Sequence, residues 1–282
     1  MLKTLNLSIF LGISLVVGSC SNSESIWFIK DQKDVKISHE LSCLPSYPAP
    51  IDEIEKLSLE SDPDFIEKIN KESHVIWKEI HENLKLQGDT VPIAVYGSLM
   101  SPSSAAHTLA NFKTMPVWLY GYTRFFNLDQ GFWRKSFHSI NGARNRGVLS
   151  LVKDQTKRCN AIILEMSEED FVAARKREEC YRLVPVKVCS YPYEESCSLA
   201  YVFVAEEVFC SKDILPLKEY YYLVWSAVSS TEAKEAYGKD FAKDFLETSF
   251  LANGDSVLCI HSEYQENPQV EYVTPTQNQN SK

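Results

Sequence analysis

The chain has 282 residues, 44% of them hydrophobic and 24% charged, the balance of a folded globular protein with room for one large domain or two small ones. Thirty-eight acidic side chains against 29 basic ones leave a formal net charge of -9. With no basic stripe, zinc-finger spacing or Arg-rich arm, nucleic acid is excluded as an expected partner, and the GxGxxG pattern of dinucleotide folds is absent.

The N-terminus, MLKTLNLSIFLGISLVVGSC, carries basic Lys3, an apolar run from Leu5 to Val17 and small residues at its end. The run is short for a membrane span and has the length of a signal-peptide core, which predicts export. Val17-Gly18-Ser19-Cys20 resembles a bacterial lipobox, in which Cys20 is lipidated and becomes the mature N-terminus. The expected location is therefore the cell envelope, with a membrane anchor on Cys20. A plain cleaved signal, giving a soluble secreted or periplasmic protein, is the alternative.

Residues 21–60 are mixed and rich in Ser and Pro and read as a tether and surface wrapping. The segment 61–90 predicts an extra amphipathic helix over 62–87. Asp62 is its N-cap, Pro63 its first residue, and Phe65, Ile69, Ile76, Ile80 and Leu84 lie on one face before Gly88. His74 and His81 share a helix face but lack a Cys or carboxylate pattern, so they read as solvated. No CxxC pair exists and the His are scattered, so a metal site is not expected.

From residue 91 to 262 the chain reads as one domain. VPIAVY, PVWLYGYTRFFNL, GVLSLVK, CNAIILEM, YRLVPVKVC and SLAYVFVA predict separate strands. Helices are predicted at 103–112, from Ser167 (a capping-box signature with Asp170), over LKEYYYLVWSAVS, and over EAKEAYGKDFAKDFLETSF. In the last, Ala233, Tyr237, Phe241 and Phe245 recur at helical spacing. The order predicts an α+β fold, and the polar stretch 263–282 reads as a disordered tail. Cys189 and Cys197 flank the turn-like SYPYEES, where a hairpin disulfide and buried free thiols stand as equal alternatives.

Two stretches carry chemistry. In VPIAVYGSLMSP a good strand breaks at Gly97 and Ser98, and Pro102 starts a helix. Such a break gathers backbone N–H groups that suit an anion or oxyanion, although an ordinary connection looks the same. In KREECYRLVPV, Glu178 and Glu179 close a helix against the sense of its dipole, with Arg175, Lys176 and Arg177 as offsetting charges.

Taken in order, YGSL, GYTRFFN, RGVLSL, NAIILEMSEEDF and REECY resemble the gamma-glutamylcyclotransferase-like family over roughly residues 91 to 205. The resemblance implies an α+β fold with a mixed β-sheet or barrel and packed helices. It implies a small gamma-glutamyl substrate that closes to 5-oxoproline without a cofactor. Backbone N–H groups of Tyr96, Gly97, Ser98 and Leu99 would bind the substrate, and Glu178 would act as general acid and base. Glu179 is the fallback, because adjacent helical residues point about 100° apart and only one of the pair can then face the turn. Cys180 departs from the family, which often has Gly before that Tyr. Arg124, Asn127 and Arg134 are further candidates for an anionic substrate, and Phe125, Phe126, Phe132 and Trp133 for core or pocket wall. The alternative function is a noncatalytic exported lipoprotein that uses the same fold as a binding module.

Overall fold

Asp62 caps the long amphipathic helix as its sequence predicts, accepting a hydrogen bond from the Asp64 N–H at 2.9 Å. The structure is a computed structural model that describes residues 32–54, 56, 62–110, 112–132 and 144–266. The export segment with Cys20, Trp133 and Arg134, and all of the tail beyond residue 266 lie outside the described residues. Among the described residues no helix is long and apolar enough to cross a membrane.

In chain order the elements are α1 (Gln32–Cys43), α2 (Pro63–Asn83), β1 (Val91–Val95), α3 (Pro102–Ala106), β2 (Thr114–Asp129) and β3 (Asn145–Met166). Next come α4 (Glu168–Arg177), β4 (Tyr181–Ser190), β5 (Cys197–Ala205), β6 (Leu215–Pro216), α5 (Lys218–Ser229), α6 (Thr231–Tyr237), α7 (Phe241–Glu247), β7 (Ser249–Leu251) and α8 (Leu258–Tyr264). The sheet order is β6-β3-β1-β5-β4-β2-β7, and β2 also pairs with β3. That extra pairing closes β3, β1, β5, β4 and β2 into a five-stranded barrel, with the short β6 pairing on β3 and the short β7 on β2. The expected α+β class, a mixed sheet closed to a barrel with packed helices, is what the chain forms.

Apolar residues fill the barrel. Ile93, Ala161, Ile162, Leu183, Ala200, Tyr201 and Val202 are fully buried, and burying each large one is worth about 1.5–3 kcal/mol. Hairpin β4–β5 runs from Tyr181↔Ala205 to Cys189↔Cys197, and that last pair is a disulfide. Of the two states expected for these cysteines, the disulfide is the one present. Helix α2 lays Ile69, Ile76 and Ile80 inward, and Trp77 Nε1 donates to the Met166 carbonyl at 3.4 Å. His74 pairs with Glu168 at 3.0 Å on the surface.

Several expectations are corrected. The two strands foreseen at GVLSLVK and CNAIILEM are one strand, β3, because partners on β2 hold both halves extended and the polar residues between them sit on its exposed stretch. The helix expected at 103–112 stops at Ala106, where the Asp170 carboxylate takes the Ala110 N–H at 2.7 Å. Asp170 therefore does not reach back to its own N-cap, although Ser167 Oγ accepts from its N–H at 3.2 Å. The single helix read through Ala233 and Phe245 breaks at Gly238, whose φ of 98° is a left-handed conformation that glycine adopts without strain.

Residues 32–54 do more than tether. Tyr47 exchanges two 2.8 Å backbone hydrogen bonds with Leu183, covering the part of β4 that β2 leaves open, and Ile51 is fully buried. At the other end Tyr264 is buried edge-on to Tyr221 at 5.6 Å, so packed structure continues into the stretch read as tail from 263.

The Asp170 contact joins α4 to the segment after α3, and both elements border the site described next. Asp170→Ala is expected to lower stability by about 1–3 kcal/mol, the cost of leaving a part-buried N–H unpaired, with Asp170→Asn losing less. Urea denaturation at neutral pH measures both.

Candidate active site

Strand β1 ends at Val95, and the chain turns through Tyr96 and Gly97 into a 3₁₀ turn at Ser98–Met100. The Ser101 hydroxyl then accepts from the Ser104 N–H at 3.4 Å and caps α3, with Pro102 at the first helical position. The chain passes close to α5 here: a Cβ at Gly97 would lie 2.6 Å from the Tyr220 hydroxyl oxygen, so a larger residue would push that ring aside. Across from the turn, α4 ends at Arg177. Glu178 is its C-cap at φ -98° and ψ 41°, outside the helical region.

A cavity of about 590 Å³ opens between these segments. Tyr96, Gly97, Ser98 and Leu99 line it from the turn, Glu178, Glu179 and Cys180 from the end of α4, and Leu149 from β3. Tyr220 and Leu223 of α5 complete one wall, with Gln130 and Phe203 also present. The four turn residues and Glu178, separated by about eighty positions in sequence, thus share one cavity. Both Glu178 and Glu179 line it, which corrects the expectation that only one of the pair could. The helical-wheel argument does not apply, because the helix has already ended at Arg177.

Arg177 connects the two halves. Its Nη2 donates to Ser98 Oγ at 2.9 Å and Ser104 Oγ at 2.8 Å, and its Nη1 to the Ser104 carbonyl at 2.8 Å and Thr108 Oγ1 at 2.9 Å. Its Nε lies 3.4 Å from Glu178 Oε1. Burial pushes the Glu178 carboxyl above the ordinary carboxylate range, and the Arg177 guanidinium draws it part of the way back. Sequence reasoning treated Arg177 only as an offset to the helix dipole. The signal it lacked was the pair of serines that converge on the guanidinium from α3 and the turn.

Around the carboxyl stand three tyrosines. Burial, and the nearby Glu178 charge, raise the hydroxyls of Tyr96 and Tyr181 well above their usual pKa, and push Tyr220 up to about 12. All three are neutral hydroxyls at physiological pH. Tyr181 donates to the Leu149 carbonyl at 3.2 Å, whereas the Tyr96 hydroxyl and the Gln130 amide oxygen are buried without a hydrogen-bond partner among the described residues. The Cys180 thiol is buried and pushed far up, which makes it a poor nucleophile.

The other candidates are elsewhere. Arg124 is fully buried under the turn rather than in the cavity. It donates to the Tyr96 carbonyl at 3.3 Å, Asn160 Oδ1 at 2.6 Å and Thr248 Oγ1 at 3.0 Å, and lies 4.2 Å over the Phe245 ring. It braces the strand end and is not among the residues that line the cavity. Asn127 accepts from the Ser150 hydroxyl and stays out of the lining. Phe126 packs on Tyr221 in the core, Phe132 packs against the core on Phe209, and half-buried Phe125 meets Phe250 outside it. Among the described residues no group of His, Cys, Asp and Glu is arranged to hold a metal ion.

No family model and no curated protein matches the chain. Among solved structures, it is similar to the human uncharacterized protein loc79017 at 12% identity and a TM-score of 0.41, over 52% of this chain and 86% of that one. A structure described as gamma-glutamyl cyclotransferase aligns at 11% identity and a TM-score of 0.40, over 52% and 85%. YkqA from Bacillus subtilis aligns at 17% identity and a TM-score of 0.39, over 55% of each chain. All three are distant likenesses that span about half of this chain.

The raised pKa of Glu178 has a consequence for stability. A buried group of this kind contributes stability that is complete below the ordinary pKa of 4.5 and is lost as pH rises through the raised value. Glu178→Gln removes the charge without changing the shape. Thermal melts across pH are expected to show the variant more stable than the parent at neutral and mildly alkaline pH. The gap should close in acid.

Proposed function

We propose that this chain is a cyclotransferase that releases 5-oxoproline from a gamma-glutamyl amine or peptide. The observation that carries the reading is the buried Glu178 carboxyl, tied by one guanidinium to the Gly97–Leu99 turn in a shared cavity.

In the proposed reaction the substrate's α-amine attacks its own side-chain amide carbon. The new C–N bond closes a five-membered ring and the bond to the departing amine breaks, so neither water nor a second substrate is consumed. Ring closure is intramolecular, which leaves orientation and proton transfer as the protein's tasks. The α-amine is largely protonated at neutral pH and must lose a proton before it attacks. A carboxylate whose pKa is lifted by burial takes that proton readily and returns one to the leaving nitrogen. Backbone N–H groups of Gly97, Ser98 and Leu99 would hold the substrate carboxylate or the oxyanion formed at the amide. The unpartnered Tyr96 hydroxyl and Gln130 amide oxygen supply further polar contacts for the amino-acid end.

The test is direct. The chain without its first 20 residues would be incubated with gamma-glutamyl dipeptides, gamma-glutamyl amines and glutathione, and 5-oxoproline measured. Turnover is expected for at least one of them, with Glu178→Gln lowering kcat by about a hundredfold to ten-thousandfold. Full activity in Glu178→Gln with loss in Glu179→Gln would exchange the two roles. No 5-oxoproline from any member of the panel would favour the noncatalytic exported lipoprotein.

The proposal includes attachment to the cell envelope through lipid on Cys20, supported by the Leu5–Val17 run and the Val17–Cys20 pattern. Expressed in a bacterial host with labelled palmitate, the full chain should take up label and sediment with membranes. Cys20→Ser should do neither.

A further inference from the structure

Glu178, Glu179 and Cys180 join α4 to β4, and each of their carbonyls is held by a different part of the chain. The Glu178 carbonyl accepts from the Tyr181 N–H at 3.0 Å and the Cys180 carbonyl from the Glu206 N–H at 3.1 Å. The Glu179 carbonyl accepts from the Ile51 N–H at 2.8 Å, a donor that precedes α2 and is remote in sequence. Ile51 is four positions from Tyr47, and Glu179 four from Leu183, whose backbone pairs with Tyr47. The stretch 47–51 therefore runs antiparallel to 179–183 in a single register. Between the two contacts the buried Arg175 donates to the Tyr181 carbonyl at 3.2 Å and the Pro48 carbonyl at 3.0 Å. Pro48 and Pro50 have a fixed φ and no N–H to offer, which suits an extended segment that pairs along one edge. The Ile51 side chain is fully buried and belongs to the core.

We propose that Ile51 is a positioning residue for Glu178: its main-chain N–H, with the stretch 47–51 behind it, fixes the connection between α4 and β4 so that the carboxyl stays in the cavity across from the Gly97–Leu99 turn. The proposal rests on reading Glu178 as the acid and base of the reaction. Glu178 has already left the helix, at φ -98° and ψ 41°, so the helical ladder does not hold the peptide that follows it. Its own N–H still reaches the Ala174 carbonyl at 2.8 Å, which ties one side of the residue to α4. The other side is tied through the Glu179 carbonyl, and the donor there is Ile51. Releasing that carbonyl lets the connection rotate about Glu178 and opens the carboxyl to water. A proton-transfer group displaced by about 1 Å costs up to a hundredfold in rate. The segment before α2 is thereby part of what builds the site, and its role is to hold the main chain next to the reacting group.

The test replaces the Ile51 N–H with an ester oxygen, by placing the α-hydroxy analogue of isoleucine at position 51 of the full chain. The side chain keeps its place and only the donor is lost. The Glu178 carboxyl is titrated by carbon-13 NMR, its resonance assigned as the one missing from Glu178→Gln. Burial holds this group above the ordinary value of 4.5 in the parent, and in the ester variant the midpoint should move down toward that value. With a gamma-glutamyl substrate, kcat should fall by about tenfold or more while KM changes little. Ile51→Val keeps the N–H and trims one methyl group, so it should lower the urea midpoint and leave the titration and kcat near the parent's. An unmoved Glu178 midpoint in the ester variant, or the same movement in Ile51→Val, overturns the proposal. A moved midpoint with unchanged kcat overturns it as well. The titration needs no turnover, so a parent that releases no 5-oxoproline refutes the cyclotransferase reading alone, and the hold of Ile51 on Glu178 is still decided by NMR.

Discussion

The pairing of β2 with β3 is the contact on which the rest depends. It runs from Thr114↔Leu164 to Asp129↔Gly147 and turns an open sheet into a closed barrel. Closure brings the end of β1, the early part of β3 and the start of β4 to one mouth, so Gly97, Leu149 and Tyr181 line a single cavity although they are far apart in sequence. Two register shifts in that ladder, near Tyr120 and Phe125, bend the strands enough to close the ring. The second shift lies beside Leu149, whose carbonyl receives the Tyr181 hydroxyl. A regular ladder would tie such groups to a neighbouring strand.

Charge inside this barrel is handled by dispersal over neutral partners. Arg124 and Arg175 are both nearly inaccessible to solvent, and burial lowers each guanidinium to about 10. Arg124 gives its hydrogen bonds to a carbonyl, an amide and a hydroxyl. Arg175 gives its own to the Tyr181 and Pro48 carbonyls at 3.2 and 3.0 Å. Each cation is stabilised by dipoles and fixes main chain: one beneath the turn, the other where β4 begins. Replacing either with an apolar side chain would leave carbonyl groups unpaired as well as remove a charge. The rigidity of the two walls that carry Gly97 and Glu178 follows from these arginines.

What could be read from the sequence was local. Asp62-Pro63 marks a helix start by its own chemistry, Ser167 does the same for α4, and alternating apolar residues announce β4 and β5. Gly97-Ser98 was visible as a break, and Glu178 as a carboxylate placed against a helix dipole. The unread parts depend on partners remote in the chain. GVLSLVK and CNAIILEM look like two strands around a loop until β2 is present to pair with both, through Lys153 on one side and Arg158 on the other. Gly238 looks like an ordinary member of a helical period until its positive φ is known. Arg177 resembles a surface charge because Ser98 and Ser104 lie more than seventy positions away, and Tyr220 is one of three consecutive tyrosines with nothing local to separate it from Tyr221. Residues whose neighbours are set by their own segment are legible, and residues whose neighbours are set by barrel closure are not.

The position of Glu178 follows from the same logic. A helix C-terminus is negative, and a closed apolar mouth is poor in water, so both conditions oppose ionisation of a carboxyl placed there. Burial alone raises the proton affinity of the group. Arg177 limits the effect, and its remaining donors are already committed to Ser98, Ser104 and Thr108. It therefore cannot swing over to form a full bidentate pair with Glu178, which would hold the carboxylate permanently ionised. The 3.4 Å contact through Nε offsets the effect of burial only in part. The same guanidinium also grips Ser98, so the turn and the end of α4 are joined through a single side chain.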